Sequence, residues 1–177
     1  METSKTVRLV MPLLLGTVLL GGCAGTDLDL RPVASLSASN VMSPSGYSEA
    51  KVSDTQYTVN AMGTEATPKA RIEKIARARA AQIAVEQRMP FYKVASVSYG
   101  VKCTKGKEIY RGGTQPATAR QTVQLDVLYA KAPTDDTYVS AKESFEGLNA
   151  ELNNEMIPSE AKIAAEQEVR AACAQTI

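Results

Sequence analysis

The chain predicts an α+β fold: one helix packed on a mostly antiparallel sheet of about four strands, in the order β-β-α-β-β, followed by a C-terminal helical segment. Three observations carry this reading. Blocks of alternating apolar and polar residues lie on both sides of one long stretch with helical period. Turn residues separate the alternating runs. After Pro133 the alternation is lost and a looser helical spacing replaces it.

The first block is residues 46–62. Tyr57, Val59 and Ala61 alternate with Thr58, Asn60 and Met62, the pattern of a half-buried strand. Ser53-Asp54 is turn chemistry, with Ala50 and Val52 on a shorter arm before it, so a hairpin is expected. Gly63-Thr64 ends it. Thr67 then supplies an N-cap and Pro68 a proline at the first helical position. The helix predicted over 68–88 places Ile72, Ile75, Ala76, Ala80, Ile83 and Ala84 on one stripe. Lys69, Arg71, Lys74, Arg77 and Arg88 fall largely off it. The alanines allow close approach to a sheet, and Pro90 stops the helix.

From Phe91 to Cys103 the odd positions are the apolar ones, with Cys103 on that face. Residues 104–119, with Lys105-Gly106-Lys107, Gly112-Gly113 and Pro116, read as a polar, mobile loop. Residues 120–131 alternate again, with Val123, Leu125, Val127 and Tyr129 inward and Thr122, Gln124 and Asp126 outward. Pro133-Thr134-Asp135-Asp136 breaks the strand. Residues 139–155 look helical through Phe145, Leu148 and Leu152. Pro158-Ser159 opens a last helix to about Ala174, with Ile163, Val169 and Ala172 broadly on one side, near Cys173. The weak apolar content of this tail suits a loosely docked helical hairpin.

The N-terminus has another character. Lys5 and Arg8 precede a 12-residue apolar run, Leu9 to Leu20. About 20 apolar residues are needed to span a bilayer as a helix, so the run is too short for a permanent anchor. A positive start, a short apolar run and small residues at its end are the parts of a secretory signal. Residues 24–45, rich in Ser, Ala, Asp and Pro, show no sustained period. The organisation read from the chain is therefore 1–22 signal peptide, 23–45 flexible tether, 46–132 α+β domain and 133–177 helical C-terminal extension.

Leu20-Gly21-Gly22-Cys23 resembles the lipobox of bacterial lipoproteins: an aliphatic residue, two small ones and a cysteine. The resemblance implies cleavage before Cys23, a diacylglycerol thioether on its sulfur and an acylated new terminus. Several chains give stable attachment to a bilayer, where one is marginal. Ala24, where an Asp implies inner-membrane retention in enterobacterial lipoproteins, points to the outer membrane, facing the periplasm. The other reading is an ordinary cleaved signal with an unrelated cysteine. Gly46–Phe91 also resembles a family of small uncharacterised proteobacterial lipoproteins. Gly46-Tyr47-Ser48, Gly63, Arg79-Ala80-Ala81 and Phe91 carry the likeness, and Met89-Pro90-Phe91 departs from the family's Gly-aromatic. This resemblance implies a fold and a compartment and brings no activity.

Of three cysteines, Cys23 is then committed to lipid, which leaves Cys103 and Cys173 as an even pair in an oxidising compartment. A disulfide between them is expected; two separate buried thiols are the alternative. Without Lys5, Arg8 and Glu2 the chain balances at 18 basic and 18 acidic residues, which argues against a nucleic-acid partner. The distribution is uneven: residues 68–131 hold 13 basic and 4 acidic residues, and 133–177 hold 3 and 9. Either the two regions neutralise each other, or the basic middle faces an anionic partner or lipid surface.

The chain has no His, the commonest general acid/base and transition-metal ligand. No cofactor or metal is expected. Gly112-Gly113 after Arg111 lacks the spacing of a phosphate loop. Ser159 and Lys162 have the spacing of an acyl-transfer SxxK pair without its companion motifs, and Ser159 suits an N-cap. Asp135-Asp136 suits a solvated turn. Lys102, Lys105, Lys107 and Arg111 either form a solvated loop or touch phosphate-bearing lipid or peptidoglycan. The expected function is a non-enzymatic, membrane-anchored periplasmic protein that binds or scaffolds an envelope protein partner. Sheet edges and the helical tail are the candidate docking surfaces. The alternative is an envelope enzyme of unrecognised type.

Overall fold

The computed structural model describes residues 29–109 and 113–174. The expected signal peptide, Cys23 and Arg111 lie outside the described residues. In chain order the elements are β1 (Gly46–Ser53), β2 (Gln56–Met62), α1 (Lys69–Glu86), β3 (Phe91–Thr104), β4 (Lys107–Ile109) and β5 (Gly113–Gln115). They continue with β6 (Thr118–Ala130), β7 (Val139–Ser140), α2 (Ala141–Asn154) and α3 (Ser159–Ala174). Among the described residues one sheet has five strands, in the order β1-β2-β6-β3-β7, all antiparallel. The short edge strand β7 is the addition to the four expected. The stretch 104–119, expected as a loop, carries the two-stranded ribbon β4–β5, which caps the β3–β6 hairpin.

One face of this sheet is apolar because side chains alternate along each strand. Tyr57, Val59 and Ala61 on β2 and Val123, Leu125, Val127 and Tyr129 on β6 are all buried. The α1 stripe covers them, with Ile72, Ile75 and Ile83 each at most 2 % exposed. Each such isoleucine contributes roughly 1.5–3 kcal/mol by burial. Ala76, Ala80 and Ala84 let the helix backbone come close enough for Tyr129 Oη to donate to the Ala80 carbonyl at 3.1 Å. Gly63 is needed at the turn from β2: a Cβ there would stand 2.7 Å from Ile72 Cδ1.

Both ends of α1 depart from the sequence reading. The cap position is Pro68, not Thr67, and no side chain caps the helix. The Thr67 hydroxyl instead accepts N–H bonds from Ala34 and Thr64, each at 2.9 Å. At the other end Arg88 has φ 56°, alone among the described non-glycine residues in having positive φ. Arg88 N–H donates to the Val85 carbonyl and Met89 N–H to that of Ala84, at 3.1 and 2.8 Å. This is a Schellman termination with arginine where glycine is usual. The off-stripe residues also need one correction: Arg71 is buried, at 8 % exposure.

In β3 the odd-face expectation holds only for the second half. A bulge between Val94 and Ser96 shifts the register against β6. One extra residue inverts which side chains face inward. Tyr92 and Val94 therefore point to the helices before it, opposite Tyr129 and Val127, and Val97 faces Leu125 after it. β7 pairs only with Phe91 and Tyr92. Beyond them no described strand lies on that side of β3.

The segment 29–45, expected as a flexible tether, is docked where it is described. Ala34 is 2 % exposed, and Leu36 packs against the core. Tyr47 N–H donates to the Ser37 carbonyl and Ser39 N–H to that of Tyr47. Arg71 holds the segment from below: Nε donates to the Ala34 carbonyl at 2.9 Å, both Nη atoms to that of Leu152 at 3.3 Å, and Nη1 to Glu155 at 2.8 Å. One buried guanidinium thus ties the N-terminal segment, α1 and α2 together. α3 packs elsewhere, across the ends of β3 and β6. Its inward residues are Ala165, Val169 and Cys173; Ile163, expected there, is 40 % exposed.

Candidate functional site

No described helix covers the second face of the sheet, and its middle is polar. Thr58 and Ser96 donate to the two carboxylate oxygens of Asp126, at 2.9 and 2.7 Å. The Ser96 hydroxyl, then that of Thr58, holds this carboxyl below the usual aspartate range. The acid is thus satisfied within the protein, and it stands at the middle of the face.

Toward the ribbon the face turns cationic. Lys102 on β3 stands opposite Arg120 on β6, and Thr104 opposite Thr118. Like charges directly opposed across a strand pair are destabilising. Among the described residues neither cation has an acidic partner. Lys105 and Lys107 follow at once and are exposed. Several other basic residues of the middle region are treated differently, although Lys69, Arg88 and Lys131 likewise have no acidic partner among the described residues. Arg71 and Lys74 pair with Glu155 at 2.8 and 2.9 Å, Arg79 pairs with Glu49 and Glu86, and Lys93 with Asp135. The uneven charge distribution therefore resolves in part: acidic groups pair with Arg71, Lys74, Arg77 and Arg79 of the helix, and the hairpin end keeps its positive charge.

Arg120 lines two shallow cavities at this end. Pro44, Met62, Lys102, Thr104, Thr118 and Arg120 line one of about 220 Å³. The other, of about 340 Å³, has Arg31, Pro32 and Glu166 on its wall, and Arg120 belongs to both. Just before Pro44, Asn40 Oδ1 accepts the N–H groups of Met42 and Ser43 at 2.9 and 2.8 Å. This turn turns its tip outward, leaving Val41 99 % and Met42 94 % exposed. Behind the cationic end, Cys103 and Cys173 stand at disulfide distance, 70 positions apart in sequence with Cα atoms 5.6 Å from each other. With Ala119 and Val169 they form a small core of their own.

The remaining candidates from the sequence serve structural contacts. Lys162 Nζ donates to the Asp29 carbonyl at 2.8 Å, and Ser159 is the first residue of α3. Asp135 accepts from Lys93 at 2.8 Å and from the Thr137 hydroxyl and N–H. The Lys93 ammonium, then the Thr137 hydroxyl, lowers its pKa to about 2. Gly113 pairs with Ile109 in the ribbon. Among the described residues no group of three His, Cys, Asp or Glu side chains could hold a metal, and no helix is long and apolar enough to cross a membrane. Sequence reading missed Arg120, Pro44 and Met62 as neighbours of Lys102. The signal was available in the hairpin register, which places residue 120 against 102.

No protein-family model matches this chain, and neither a curated protein nor a solved structure does.

Proposed function

We propose that the chain is a non-enzymatic lipoprotein of the cell envelope, held on a membrane facing the periplasm through acylated Cys23. Within that class, its role is to bind or scaffold an envelope protein partner, and Ala24 favours the outer membrane as its site. Leu20-Gly21-Gly22-Cys23 after a short apolar run supports the anchor. The observation that carries the reading beyond the signal is the approach of Cys103 to Cys173 across 70 positions. A disulfide persists in oxidising compartments and is rare in reducing ones. The non-enzymatic part is supported by Asp135, held by Lys93 and Thr137, and by Lys162, held by the Asp29 carbonyl.

Labelling cells with a clickable fatty acid tests the anchor. The chain is expected to take the label and Cys23→Ser to lose it, since only a thiol supports the thioether. Continued labelling of the variant would remove the assignment. Crosslinking in intact cells, with identification of captured neighbours, tests the scaffolding role.

A further inference from the structure

We propose that the cationic end of the open sheet face seats the domain on an anionic phospholipid surface. Lipid phosphates lie between Lys102 and Arg120, and the Val41–Met42 tip dips into the headgroup layer. The inference rests on the reading of Cys23 as the lipid anchor and adds the face that meets the bilayer.

Four observations converge on it. Lys102 opposes Arg120 in register, an arrangement that costs stability unless an anion sits between them. Neither has an acidic partner among the described residues, although Arg71, Lys74, Arg77 and Arg79 of the helix are paired. The nearly fully exposed Val41 and Met42 sit immediately before Pro44, which lines a cavity with both cations. Apolar tips beside basic residues are the composition that binds at a lipid interface. The direction of the chain agrees. Arg31 and Pro32, near the start of the described residues, share a cavity with Arg120. Cys23 is eight positions before Arg31, so a bilayer holding it lies within about 28 Å of this end. Lys105 and Lys107 extend the same cationic surface.

The test uses the full chain with vesicles of phosphatidylcholine alone or with added phosphatidylglycerol. Flotation reads attachment. Lysine acetylation followed by mass spectrometry reads which amines are covered. Lys142 serves as the control, because it lies at the start of α2, beside the strand that pairs with the opposite end of β3, and its side chain is 79 % exposed. The expected result is flotation on both vesicles, with Lys102, Lys105 and Lys107 protected severalfold on the anionic ones only. High salt should abolish the protection. Each basic residue near an anionic surface is worth about a fivefold factor in partition, so Lys102→Glu with Arg120→Glu should weaken the seating on the order of 30-fold or more. Flotation on both vesicles with no protection, or with equal protection on both, overturns the proposed face and leaves the anchor standing. Flotation on anionic vesicles alone, lost in the double variant, removes the anchor and upholds the face. Flotation on neither removes both.

Discussion

Replacing Cys103 and Cys173 together by alanine should release α3 before the rest of the domain unfolds. The inward side of α3 is short: Ala165, Val169 and Cys173 are its buried residues. The cluster holding it contains Ala119, Val169 and the two cysteines, and it is separate from the main core. The ion pairs beside it, Arg170 with Glu65 and Arg31 with Glu166, involve arginines 64 % and 37 % exposed. Such exposed pairs contribute less than about 1 kcal/mol each. A bond closing a loop of 70 positions contributes about 4 kcal/mol in the chain-entropy model. It is therefore the largest single contribution among the contacts that hold the helix, ahead of the buried Val169 at roughly 1.5–3 kcal/mol. Peptide mapping without reductant should recover the linked pair. Hydrogen exchange of the double variant should show α3 amides exchanging through a local opening, with α1, β2 and β6 still protected. Unchanged α3 protection in the variant, or two freely alkylated thiols in the denatured wild type, would refute the reasoning.

Four other outcomes are expected. Arg71→Met keeps the stem but leaves the Ala34 and Leu152 carbonyls without their donor, and should cost about 3 kcal/mol in urea unfolding. Arg88→Gly relieves a left-handed residue at a helix end and should raise stability by about 1 kcal/mol in the same assay. Ile75→Asp buries an unpaired charge and should abolish the cooperative thermal transition, whereas Lys74→Ala loses ion pairs worth less than about 1 kcal/mol. Because the Asp135 pKa falls from 3.8 to about 2, its contribution is present above pH 4 and disappears as pH drops toward 2. Urea midpoints measured across that window should fall with acid, and Asp135→Asn should flatten part of the slope.

The long periodic elements were legible in the sequence because burial is one-sided in each. The Ile72–Ile75–Ile83 stripe and the Val123–Tyr129 alternation end up buried as read. What escaped depended on contacts remote in sequence. Arg71 looked like a solvent residue because its acceptors lie 37 and 81 positions away. Residues 29–45 have no sustained period because they dock largely through backbone groups, which leave no hydrophobic pattern, with Ala34 and Leu36 packed on the core. Three of the four cations of the site were visible as Lys102, Lys105 and Lys107. Arg120 was not, because the ribbon between the strands was read as loop and the hairpin had no register. The bulge in β3 was hidden because Ala95 is compatible with either face.

That bulge has a consequence for behaviour at high concentration. An open strand edge is a template on which another molecule can add a strand, and such growth leads to aggregates. The outer side of β3 beyond Tyr92 is an edge of this kind, with valines along it. The extra residue at Ala95 interrupts the regular spacing of free N–H and C=O groups, so an incoming strand in register with one half is out of register with the other. Deleting Ala95 would make the edge continuous, and the protein would then be expected to self-associate through added strands rather than to unfold.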